Sequence, residues 1–271
     1  MILIDTHCHL DAAEFDADRE SVIQEAAHHQ VKMMVVPAVH RKNFETVTQL
    51  AKKYSSCAHA LGIHPMYVTS SELKDLDFLK QEVENQMESE HPPVAIGEIG
   101  LDFFIADFDK SLQEHYFIEQ LKIAKEYHLP VILHVRSAID DILKHLRKYK
   151  IQGGIAHAFN GSRQQADAFI DLGFKLGFGG ALTYPRALKI RALVSSLPLE
   201  SIVLETDAPD IPPQWLEKTQ KNTPKELTKI IKIIASLRRI NESQVAEITT
   251  KNSLEILPNL PKLFTPLHVL H

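Results

Sequence analysis

His7 and His9 sit in Leu-Ile-Asp-Thr-His-Cys-His near the amino end of the chain. On an extended backbone, side chains two residues apart point the same way, so both imidazoles can grip one ion. Other metal-capable side chains follow apolar runs: Glu98 in Ala-Ile-Gly-Glu-Ile-Gly-Leu-Asp, His134 in Ile-Leu-His-Val-Arg, His157 in Ile-Ala-His-Ala-Phe-Asn-Gly and Asp207 in Leu-Glu-Thr-Asp-Ala-Pro. A carboxylate inside an apolar strand is costly unless it is paired or bound to a cation. Its two oxygens can bridge two ions, which makes Glu98 the candidate bridge; a salt bridge to Arg136 is the plainer alternative. The glycines beside Glu98 are expected to leave room for an ion or substrate close to the backbone. His134 and His157 could bind a second ion. Asp207 could ligate the first ion and also take a proton from a water whose pKa a metal lowers toward ~7. Asp207 and Glu98 are therefore the candidate catalytic residues, with two divalent metal ions as cofactors. Imidazole donors suit Zn or Mn, whereas Mg favours oxygen ligands.

Around this set, Asp5, Asp11, Asp102 and Glu205 are expected to accept hydrogen bonds from the outer nitrogens of metal-bound histidines or to cap the site. His64, in Leu-Gly-Ile-His-Pro, is a candidate substrate contact. Arg136 and Asn160 could hold phosphate oxygens. Trp215 reads as a loop anchor rather than a base-stacking platform. The chain has 15 histidines, and His28, His29, His91, His115, His128 and His145 fall in polar surroundings that predict exposure.

Such residues need elements that deliver them to one place. Short runs rich in Val, Ile and Leu predict strands over Leu3–Asp5, Met33–Pro37, Ala58–Gly62, Val94–Glu98, Val131–His134, Gly154–His157, Phe174–Phe178 and Ile202–Glu205. They do not alternate cleanly, as expected of strands buried on both faces of a parallel sheet. Apolar spacings of three and four predict helices between them, over 20–29, 44–54, 76–87, 112–127, 139–149, 163–172 and 188–196. A last helical region over 224–257 is expected to break near Asn241. Alternation of this kind predicts an α/β chain folded as a single (β/α)8 TIM-type barrel. A doubly wound open sheet would carry a glycine-rich turn after its first strand, where this chain has Asp-Thr-His-Cys-His. On this scheme each metal-capable residue falls at the carboxyl end of its strand, the face where barrel active sites gather. The expected organisation is a barrel over residues 1–258 and a loosely attached tail over 259–271.

Composition narrows the partners. The net charge of −5 disfavours a broad basic nucleic-acid surface but permits a pocket that grips one strand end. Cys8 and Cys57, the two cysteines, point to a reducing, cytoplasmic setting. The amino end lacks the pattern of a signal peptide. No apolar run approaches the ~18 residues of a membrane span, so no membrane association is expected, and no obligate protein partner is inferred.

Taken together, Ile-Asp-Thr-His-Cys-His-Leu-Asp, Gly-Ile-His-Pro, Gly-Glu-Ile-Gly-Leu-Asp, His-Val-Arg, His-Ala-Phe-Asn-Gly, Glu-Thr-Asp-Ala-Pro and the Asn-Thr-Pro of 222–224 resemble the TatD family of metal-dependent deoxyribonucleases, in the amidohydrolase superfamily. The resemblance spans most of the chain. It implies a (β/α)8 barrel, a divalent metal pair and hydrolysis of DNA phosphodiesters. It also implies that His7, His9, Glu98 and Asp207 hold one metal, and that Glu98, His134 and His157 hold the other. Two departures bear on substrate. Met66 stands where many TatD nucleases have a second histidine, and the loop Asp210–Trp215 has no basic residue, with only Lys218 and Lys221 nearby. These features match a sub-branch described only as metal-dependent hydrolases. The leading expectation is a deoxyribonuclease acting on DNA ends or a small phosphodiester. The alternative is hydrolysis of a small amide, lactone or ester at the same site. A non-catalytic metal-binding protein would leave the gathering of six ligands at one barrel face unexplained.

Overall fold

The computed structural model describes residues 1–263. They form a (β/α)8 barrel whose strands are β1 (Leu3–Asp5), β2 (Val31–Pro37), β3 (Cys57–Ala60), β4 (Ile96–Asp102), β5 (Val131–Arg136), β6 (Gly154–Ala156), β7 (Phe174–Phe178) and β8 (Ile202–Leu204). The helices are α1 (Arg19–His28), α2 (Phe44–Lys53), α3 (Lys74–Met87), α4 (Lys110–Glu126), α5 (Ile139–Tyr149), α6 (Arg163–Asp171), α7 (Leu188–Ser196), α8 (Leu227–Arg238), α9 (Glu242–Ile256) and α10 (Leu260–Leu263). All strand pairs are parallel and run in chain order as two arcs, β1 to β3 and β4 to β8. Backbone bonds join the arcs at both seams: Gly97 N donates to Leu61 O and Thr6 N to Leu204 O, each at 2.9 Å.

Local signals explain the helices. In α5, Ile142, Leu143 and Leu146 recur on the core face, the stripe expected of a helix lying on a sheet. A capping box formed by Ser162 and Gln165 opens α6, satisfying donors that a helix start would otherwise leave free. The predicted break after α8 occurs where Arg239 turns left-handed and Asn241 caps α9.

Two apolar layers hold the barrel. One lies between strands and helices. The other fills the interior with Ile4, Met33, Val35, Ala58, Ala60, Ile132, Ile155 and Val203, and is closed below by Leu257 and Leu260. The start of the expected tail is therefore firmly seated. Leu260 is fully buried and Asn259 Nδ2 donates to Pro93 O at 2.9 Å. An apolar side chain that plugs the floor carries its segment into the fold; residues 264–271 lie outside the described part. Among the described residues, no helix is long and apolar enough to cross a membrane.

The fourth and fifth strands run farther than predicted. Gly100 pairs with His134 and Asp102 with Arg136, so Glu98 and His134 lie within their strands rather than at the ends. Gly100 has φ +148°, and a Cβ there would overlap the His134 carbonyl. A Cβ on Gly97 would press into Ile132. The glycines flanking Glu98 thus admit the neighbouring strand, not an ion or substrate. His145, expected to be exposed, is buried between α4 and α5, with its ring edge-on to Phe117 and 3.6 Å from Glu114.

Candidate metal centre

Every residue marked from the sequence as a ligand reaches one cluster at the barrel mouth. Glu98, 2% exposed, is its hub. Its two oxygens face different imidazoles. Oε2 lies 3.2 Å from His7 Nε2 and 3.6 Å from His9 Nε2. Oε1 lies 3.0 Å from His134 Nδ1, 3.4 Å from His64 Nε2 and 3.8 Å from His157 Nε2. Asp207 Oδ1 stands 3.5, 3.7 and 3.9 Å from His7, His9 and His157. Three groups of donor atoms converge closely enough for a shared ion: His7, His9 and Glu98; His7, His157 and Asp207; His64, Glu98 and His134.

The donor set fits divalent cations. His7 Nε2 and His9 Nε2 face each other at 3.2 Å, an arrangement that leaves two lone pairs in contact unless a proton or a metal lies between them. Burial and the His157 charge push His7 down to about 3. Burial also lowers His64, only partly offset by Glu98. Against burial, Asp207 and Glu205 hold His157 up to about 10. Glu98 and Asp207 likewise hold His9 up to about 9 despite burial. Burial, partly offset by His157 and His9, pushes Asp207 up to about 6. Glu98 stays well below the usual carboxylate range because His64 and His7 outweigh its burial. Glu98 therefore stays ionised among five imidazoles, of which burial keeps His7 and His64 neutral, and a buried set of carboxylate oxygens and imidazole nitrogens of this kind suits a divalent cation.

Asp102 and Glu205 lie against outer ring nitrogens as the sequence suggested, whereas Asp11 and Asp5 do not reach one within hydrogen-bond distance. Asp102 Oδ2 lies 3.0 Å from His134 Nε2. Glu205 Oε1 lies 3.2 Å from His157 Nδ1 and accepts from Ala158 N at 2.6 Å. Asp11 approaches His9 at 4.0 Å and is held by Asn43. Asp5 meets no imidazole ring; it accepts from the backbone N–H of His7 and from the N–H and hydroxyl of Thr206. It therefore ties the ends of β1 and β8 together, and burial raises its carboxyl to about 8. Left-handed backbone gathers at the same rim, at Ser137, Ala158, Asp207 and Ile211. Such conformations cost on the order of 1 kcal/mol each and persist where the surroundings over-determine them. At Asp207 the surroundings include Asn222, whose Nδ2 donates to Thr206 O and Asp210 O on either side.

Gly177 supports this arrangement from β7. A Cβ there would overlap the Glu205 carboxylate, which could escape only by leaving Ala158 and His157. Gly177→Ala should therefore cost about 1–3 kcal/mol by overpacking and lower kcat/KM about 10- to 100-fold by freeing His157. Thermal unfolding and kinetics at saturating Mn²⁺ test this; wild-type values for both would mean that the Glu205–His157 contact is dispensable.

Of the proposed substrate contacts, Arg136 and Asn160 line the cavity of about 810 Å³ above the cluster. No Glu98–Arg136 salt bridge forms, since imidazoles surround the carboxylate. His64 also lines this cavity, but its Nε2 joins the donors around Glu98, a grouping that Gly-Ile-His-Pro by itself does not disclose. Trp215 anchors its loop, donating to Glu226 Oε2 at 2.6 Å. Sequence reasoning missed Phe104 and Tyr67. Both are exposed aromatics near the mouth, Phe104 on the loop after β4 and Tyr67 in the 3-10 turn Pro65–Ser70 that follows His64, and the Phe-Phe pair following Gly-Leu-Asp was the available signal.

A parallel barrel with an imidazole–carboxylate cluster at its mouth is the architecture of a metal-dependent hydrolase. Residues 4–258 match the family model described as TatD related DNase, and the chain belongs to this TatD family of metal-dependent hydrolases. It is 40% identical over 259 residues to the uncharacterized metal-dependent hydrolase YjjV of Escherichia coli, covering 95% of this chain and 98% of that one. It is 34% identical to the human deoxyribonuclease TATDN3, covering 96% of each. The crystal structure of the Escherichia coli TatD homologue YjjV superposes with a TM-score of 0.90, covering 94% of this chain and 98% of that one.

Proposed function

We propose that this hydrolase is a deoxyribonuclease that cleaves phosphodiester bonds at DNA ends with two divalent ions, Mg, Mn or Zn. The observation that carries the two-ion reading is the division of imidazoles between the oxygens of Glu98, His7 and His9 on one and His64, His134 and His157 on the other. His7, His9, Asp207 and Glu98 would hold one ion. Glu98, His134 and His157, joined by His64, would hold the other. Bound divalent ions supply Lewis acidity toward a phosphoryl oxygen and make water a stronger acid.

The chain's own groups do the rest. Asp207 takes the proton of the attacking water at its carboxylate. Asp102 and Glu205 hold the His134 and His157 rings in place. Arg136 and Asn160, on the cavity wall, orient the phosphate. The name of the human relative supports a DNA substrate. Reduced Cys8 and Cys57, both buried, suit the cytoplasmic setting. The second reading, a small ester or amide hydrolase, draws on the mouth itself, where Met66 and Tyr67 are exposed and Asp210, Asp11 and Glu14 add negative charge.

The experiment strips the protein with a chelator, restores each metal, and follows cleavage of end-labelled single-stranded, duplex and circular DNA. Activity should vanish on stripping, return with metal, and favour free single-stranded ends. A pocket that grips one or two phosphates should give a log–log salt slope of roughly −1 to −2. Efficient cutting of closed circles would sink the end preference. Failure to cut DNA with any metal, alongside hydrolysis in an ester and amide panel, would favour the second reading.

A further inference from the structure

Beside the metal-centre cavity lies a second cleft of about 530 Å³, and the two share Val135, Arg136 and Asn160 as wall residues. Phe104 stands on its rim, 65% exposed, with the Arg136 guanidinium 4.0 Å from its ring centroid. Burying a phenyl ring stabilises a fold, and this ring forgoes much of that gain. The guanidinium provides one stacking partner and leaves the remaining ring area open. The ring is also tied to the metal centre. Phe104 N donates to Asp102 Oδ1 at 2.9 Å, while the other oxygen of Asp102 meets His134 Nε2 at 3.0 Å.

The cleft's charge indicates what it takes. Asp140 and Asp141 line it, engaged by Gln165 Nε2 at 2.9 Å and Lys110 Nζ at 2.8 Å. Arg136 and Lys189 on the same wall balance these two carboxylates, so the cleft has no excess positive charge to draw in a phosphate, and a flat neutral ring suits it. The amide of Asn160 on the same wall matches the donors and acceptors on a base edge, whereas that of Gln165 is taken up by Ser162 N and Asp140.

Resting on the nuclease reading above, we propose that Phe104 and Arg136 form a stacking subsite for the nucleobase next to the scissile phosphodiester, with Arg136 serving the phosphate on one side and the base platform on the other. Aromatic stacking is sequence-tolerant because every base presents a π-face, so the subsite would recognise a single-stranded terminus without reading its sequence.

The test uses a single-stranded oligonucleotide with 2-aminopurine near the cleaved end, bound with Mn²⁺ to an Asp207→Asn protein so that binding is observed without turnover. Binding should quench the fluorophore. Adding Phe104→Ala should remove most of the quench and weaken affinity about 5- to 100-fold, and Phe104→Tyr should restore both. In an otherwise wild-type protein, Phe104→Ala should raise KM more than it lowers kcat. A DNA-cutting wild type whose Phe104→Ala counterpart quenches and binds like its parent would overturn the subsite and leave the nuclease reading intact. Weaker binding with the quench unchanged would also overturn it, by reducing Phe104 to a prop for Arg136. A wild type that cuts no DNA with Mg, Mn or Zn would instead overturn the nuclease reading.

Discussion

Glu98→Gln should give a folded barrel that has lost most of its bound metal and at least about a thousandfold of its kcat/KM. The substitution keeps the shape of the side chain but replaces one acceptor oxygen with an amide donor and removes the charge. Both sets of imidazoles face this carboxylate, one set on each oxygen, so under the proposed two-ion reading the loss should reach both ions together. Losing roughly 4 kcal/mol of metal-derived transition-state stabilisation corresponds to the stated factor. Elemental analysis of purified protein supplies the decisive number: one tightly held ion per chain in the variant would show that Glu98 is not the bridge.

Asp207→Asn should act differently, reducing kcat about 10²- to 10⁴-fold, the range of general acid–base contributions, while retaining more metal than Glu98→Gln. The donors around Glu98 Oε1 remain complete in this variant. The backbone should also be undisturbed, because Asp207 has φ 54° and asparagine shares aspartate's tolerance of that region. As a comparison, His145→Ala vacates a buried position between α4 and α5. It should lower thermal stability but keep turnover per folded molecule, since His145 belongs to none of the site's contacts. Equal losses of turnover in the Asp207 and His145 variants would refute the assigned roles. A pre-steady-state burst unchanged in Asp207→Asn would refute proton transfer by that carboxylate.

The amino-acid sequence by itself determined the barrel, the order of its elements and which residues, His7, His9, Glu98, His134, His157 and Asp207, gather in the cluster at its mouth. These are local facts. Apolar runs set the strands, three-and-four spacing set the helices, and a parallel barrel delivers strand ends to one face whatever the details of packing. The tertiary structure decided which atom meets which. Glu98 and His134 are 36 residues apart and Asp5 and Thr206 are 201 apart, so no local pattern records that His64 turns toward Glu98 while Asp5 turns toward a backbone.

The same reason explains the misreadings. A glycine beside a buried carboxylate looks alike in sequence whether it admits an ion or a neighbouring strand, and at Gly100 the adjacent His134 carbonyl settles the matter. His145 looks polar until Phe117 and Glu114 close over it from another helix. Leu260 lies between Pro258 and Pro261 and resembles a tail residue, but the barrel floor offers it an apolar seat. Burial and ring orientation are properties of the surroundings, and those surroundings are assembled from residues far apart in the chain.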